Sequence, residues 1–65
     1  MFNNLIAELA RAKITQKQLA ESLGLTETTV SRKLKGTTNW KLNEISTILK
    51  MFPGSEFDYL FKKGA

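Results

Sequence analysis

The sequence predicts an all-α fold of five short helices, on three observations. No stretch alternates apolar and polar residues for long. Proline and glycine fall where helices would meet, at Gly24, Gly36 and Pro53-Gly54. Between those breaks, apolar residues recur at three- and four-residue intervals. The 65 residues make one domain, close to the size below which a core needs disulfide or metal staples.

Phe2, Leu5, Ile6 and Leu9 form the stripe of a first helix, with Asn3 as its expected N-cap. Thr15 and Gln18 have the spacing of a capping box, and Ile14 and Leu19 that of a hydrophobic staple, so a second helix starts there. Leu19, Ala20 and Leu23 face inward, and Gly24 supplies the left-handed residue that ends it. The third helix repeats the device, with Thr26 as cap, Leu25 and Val30 as staple, and Gly36 as stop. A fourth runs from about Lys41 to Met51 on Leu42, Ile45, Ile48 and Leu49, and Trp40 at its head is assigned to the core. Ser55 is the expected cap of a short fifth helix reaching Phe61. The domain thus spans 1–61, and residues 62–65 are expected to fray.

Composition narrows the function. There is no cysteine and no histidine, which removes disulfides, thiolate metal sites and the usual general base. With six carboxylates and no Gly-rich phosphate loop, no catalytic, metal or cofactor constellation can be assembled, so an enzyme is not expected. No apolar run is long enough for a membrane span or secretory signal, which makes the cytoplasm the default compartment. The net charge is +4, and seven cations (Arg11, Lys13, Lys17, Arg32, Lys33, Lys35, Lys41) lie between Arg11 and Lys41 against Glu21 and Glu27. One positive face suits a polyanion.

The third helix is the informative one. At about 100° per residue, Val30 and Leu34 define its buried side, while Thr28, Arg32 and Lys35 cluster opposite, flanked by Thr29 and Ser31. Short hydroxyls with one guanidinium a turn further on are suited to reading base edges in a major groove. The three-residue turn centred on Gly24, with small Ala20 at the crossing, leaves this helix on the surface.

The segment QKQLAESLGLTETTVSRKLKG, Gln16 to Gly36, resembles the helix-turn-helix of the Cro- and phage-repressor-like family at Gln16, Ala20, Gly24, Val30 and Gly36. The likeness continues into WKLNEISTILKMF and covers about Asn3 to Phe61. It implies a repressor-like domain whose second and third helices form the DNA-binding unit. Two positions depart from the family pattern. Lys33 stands where many members have an aliphatic residue. Lys41 stands where a Ser or Thr cap is common, leaving Asn39 as the alternative cap.

The resemblance implies base contacts from Glu27, Thr28, Ser31 and Arg32, with Thr28 and Arg32 the strongest candidates. It implies phosphate contacts from Gln16, Lys17, Thr29, Lys35, Thr37, Thr38, Asn39 and Lys41. The expected function is a sequence-specific double-stranded DNA regulator, a phage or prophage repressor or Cro-like switch, acting on a palindromic operator without a cofactor. The competing expectation is an anti-repressor that keeps the fold and acts on a partner repressor. Four of the six aromatic residues (Phe52, Phe57, Tyr59, Phe61) lie in the last fourteen positions. Segment 52–61 is therefore expected either to close the core over the first and fourth helices or to support a weak homodimer.

Overall fold

The computed structural model describes residues 1–64. Every regular element among them is helical: α1 (Asn3–Arg11), α2 (Gln16–Leu23), α3 (Glu27–Lys35), α4 (Leu42–Met51) and α5 (Phe57–Leu60). The helices form a near-isotropic body of 25 × 24 × 22 Å. Helix α2 packs on α3 and α4, and α1 packs on α3 and α5.

Two helix starts follow the sequence rules. Gln18 N donates to Thr15 Oγ1 at 3.1 Å and Thr15 N donates to Gln18 Oε1 at 2.8 Å, completing the capping box of α2. At α3, Thr29 N donates to Thr26 Oγ1 at 3.2 Å. Two starts differ from expectation, and at α4, which starts where expected, the alternative cap is not used. The N-cap of α1 is Phe2 rather than Asn3, because Phe2 N is drawn to the Leu34 carbonyl at 2.9 Å. Helix α4 begins after Lys41, so Asn39 is not its cap, and α5 begins after Glu56 rather than Ser55 and ends at Leu60.

The first three helices end in one way. Leu25 N donates to Ala20 O and Gly24 N to Glu21 O; Thr37 N donates to Arg32 O and Gly36 N to Lys33 O. Gly24 (φ +69°) and Gly36 (φ +87°) hold the left-handed positions this pattern requires. Helix α1 closes identically through Ile14 N to Leu9 O and Lys13 N to Ala10 O, with Lys13 at φ 59° in the glycine position. A side chain there costs about 1–2 kcal/mol.

Leu5, Leu9, Leu19, Ala20, Val30, Leu34, Ile48 and Leu60 fill the centre, with Phe2 and Phe52 closing its edges. Trp40 packs on this core as expected, edge-on to Phe2 (6.3 Å) and to Phe61 (5.8 Å). Its buried Nε1–H has no protein acceptor among the described residues, a cost of about 1–3 kcal/mol that the surrounding packing must offset. Leu42, expected in the α4 stripe, is instead 82% exposed. It shares a face with Leu49 but lies two turns earlier, beyond the edge of the core.

Helix α5 folds back on α1. Leu60 is fully buried, Asn4 Nδ2 donates to Tyr59 O at 2.9 Å, and Tyr59 Oη donates to Glu8 Oε2 at 3.1 Å. Phe57 and Tyr59 keep exposed rings, although Phe57 stacks on Phe61 at 5.4 Å. After α5 the chain returns to its own start, where Gly64 N donates to Met1 O at 2.8 Å. Of the tail expected over 62–65, Ala65 lies outside the described residues.

Candidate nucleic-acid interface

Two junctions position α3. On its N-terminal side, the Gly24 turn and the Thr26 cap set its direction from α2. On its C-terminal side, Lys33 is the device. The charge pattern puts this residue among the cations of the positive face, but it is only 3% exposed, inside the stripe of Val30 and Leu34. Its Nζ donates to Glu44 Oε1 at 2.6 Å and to the Asn39 carbonyl at 3.1 Å, and lies 5.8 Å from the Trp40 ring centroid. The same Glu44 oxygen accepts from Lys41 N at 2.9 Å. One buried carboxylate thus ties the last turn of α3, the 36–41 loop and the first turn of α4 together.

Burial alone would push the Glu44 carboxyl up. The hydrogen bonds from Lys33 and from the Lys41 N–H, with the charges of both lysines, outweigh it and hold the carboxyl below its ordinary value. The Glu44 carboxyl is therefore charged at neutral pH.

On the opposite side of α3, a shallow cleft of about 390 Å³ is lined by Gln16, Glu27, Thr28, Ser31, Arg32 and Lys35. The structure thus brings together all four residues expected at bases and two of those expected at phosphates. Glu27, Thr28, Arg32 and Lys35 are exposed, and Ser31 is half-buried. Gln16 reaches the cleft from the first turn of α2, one residue from exposed Lys17. Thr38, Asn39 and Lys41 are exposed on the following loop, which leaves their side chains accessible.

Two threonines are otherwise engaged. Thr29 is half-buried, and its hydroxyl pairs with Thr26 Oγ1 at 2.8 Å within the α3 cap. Thr37 gives both of its donors, N–H and Oγ1–H, to the Arg32 carbonyl, each at 3.0 Å. In this arrangement Thr37 has no donor left for a phosphate. Buried Lys33 and Glu44 were not among the expected functional residues.

Among the described residues no group of three or more His, Cys, Asp or Glu side chains could hold a metal, and no helix is long and apolar enough to cross a membrane. Residues 4–53, from the first turn of α1 to just past α4, match the family model described as Cro/C1-type HTH DNA-binding domain. No curated protein and no solved structure matches the chain.

Proposed function

The chain belongs to the Cro/C1-type HTH DNA-binding family, and on that premise we propose that it is a sequence-specific transcriptional regulator of the phage or prophage repressor or Cro-like kind. The observation that carries this reading is the cleft joining Gln16 of α2 to Glu27, Thr28, Ser31, Arg32 and Lys35 of α3. A helix laid in the major groove along that face presents Thr28 and Arg32 to base edges, with Ser31 and Glu27 beside them. Arg32 suits the bidentate O6/N7 edge of guanine, and Glu27 suits a cytosine amino group. Gln16 and Lys17 at the start of α2, and Lys35, Thr38, Asn39 and Lys41 at the far end, lie where the flanking phosphates would run.

Two copies on a palindromic operator would add the base contacts that one short helix lacks. The exposed rings of Phe57 and Tyr59 are suited to a weak two-fold contact that DNA strengthens.

Selection of bound duplexes from a random pool, repeated with Arg32→Ala, tests the reading. Enriched sequences should be inverted repeats with half-sites about one DNA turn apart. Arg32→Ala should weaken binding to them by about 1–3 kcal/mol and relax preference at one or two positions. Equal losses on selected and random duplex would make Arg32 a phosphate contact, and a single half-site would remove the two-fold pairing. Retention of no duplex, with co-purification of a larger regulator, would favour the anti-repressor reading instead.

A further inference from the structure

We propose that Lys63, ten residues beyond the family match and outside every helix, is a DNA-phosphate contact that extends the interface past the end of α3. The inference rests on the orientation of α3 proposed above.

Lys63 is brought to α3 by the two ends of the chain. At the start, Phe2 N donates to the Leu34 carbonyl at 2.9 Å, which fixes the first residues against the last turn of α3. At the finish, Gly64 N donates to the Met1 carbonyl at 2.8 Å, which lays the tail beside that start. Between these anchors the Lys63 ammonium sits 5.7 Å from the Phe2 ring centroid, with an apolar stem able to lie along the ring. Its position relative to α3 is set by Gly36: a Cβ built there would lie 3.6 Å from Lys63 Cε and 3.8 Å from Nζ. The ammonium is thus at the negative end of the α3 dipole, beside the residue that separates Lys35 from Thr37.

Two groups beside this end of α3 are already engaged within the protein. Thr37, next along the chain, spends its N–H and hydroxyl on the Arg32 carbonyl. Lys33, two residues before Lys35, is buried on Glu44. A phosphate passing the trailing end of α3 therefore meets Lys35 from the helix and Lys63 from the tail. Exposed Lys63 can turn its ammonium outward while its stem stays on Phe2.

The test uses the full chain and a fluorescein-labelled mixed-sequence duplex, with binding followed by anisotropy across a salt series. Lys63→Met keeps an apolar stem over Phe2 and removes the charge. It should flatten the slope of log K against log salt by about 0.9 and weaken binding about five- to tenfold near 0.1 M salt. Lys63→Arg should keep the wild-type slope, and Lys62→Met, one residue away, should change little. Thermal melting of each variant separates lost contacts from lost folding, and a destabilised Lys63→Met is read against Lys63→Arg alone. An unchanged slope for Lys63→Met beside a binding wild type overturns the tail contact and leaves the proposed function intact. An equal effect from Lys62→Met reduces the result to net charge and also overturns it. A wild type that binds no duplex removes both readings.

Discussion

The two junctions that hold α3 are built on opposite principles. The α2–α3 turn is an assembly of short-range devices, with a capping box at Thr15, a left-handed glycine at 24 and a hydroxyl cap at Thr26. Each spans a few residues and contributes on the order of 1 kcal/mol. The α3–α4 junction concentrates its polar bonding on one buried carboxylate that serves Lys33 Nζ and Lys41 N. The first junction should lose stability in small steps. The second should fail when either charge is removed, because the other is then buried without its partner.

The largest effect should come from breaking that pair. Glu44→Gln is expected to cost about 3–5 kcal/mol, most of the stability of a domain this size. Lys33→Met with Glu44→Leu should recover most of it, since apolar replacement of a buried pair is often neutral or stabilising. Urea unfolding followed by circular dichroism makes the comparison. If the double variant loses as much as the two single changes added together, the carboxylate is acting through its bond to Lys41 N and not through the charge pair.

Acid approaches the same junction without a mutation. The Glu44 carboxyl is held below its ordinary value, so its contribution is fully present above the unfolded carboxylate pKa, about 4.3. That contribution is lost as pH falls through the lower folded value. Melting temperatures of the wild type should therefore drop on the acid side more steeply than those of the double variant. Parallel acid limbs would show that Glu44 is not the group responsible.

The smallest effect belongs to the other junction. Thr15→Ala removes the hydroxyl half of the α2 box and should cost about 1 kcal/mol, or about 4–8 °C in melting temperature. Base preference on selected duplexes should not change. An unaltered melting curve would mean that water replaces the cap at no cost.

The same contrast explains what could be read before the structure. Thr15, Gln18, Gly24, Thr26 and Gly36 were legible because each acts on neighbours within about four residues, where type and spacing fix the geometry. The clustering of Thr28, Arg32 and Lys35 on one side, with Ser31 flanking, followed from helical periodicity, whereas Glu27 joined the cleft through the family resemblance. Lys33 was misplaced because its partner is eleven residues away. A signal was present, since Lys33 falls within about 60° of Val30 on the helix and so on the buried side. Its charge does not keep it on the surface. The left-handed closure of α1 was hidden for the converse reason: its geometry matches the other two, but Lys13 stands where a glycine would have announced it. Phe2 and Leu42 were decided by a contact to a distant segment and by where the core ends, which no local rule reports.

Trp40 gives the α3–α4 junction an optical signature. It is the only tryptophan in the chain. Its ring faces the Lys33 ammonium on one side and the rings of Phe2 and Phe61 on others. Indole emission responds to nearby charge and to water, so the whole tryptophan spectrum of this protein reports on one place. Selective excitation of the indole watches the ion pair, the 36–41 loop and the docked N-terminus together, without a label and without a mutation. A duplex that shifts the loop, or an acid step that discharges Glu44, writes to the same channel, and comparing the two colour changes would tell motion of the loop from loss of the charge.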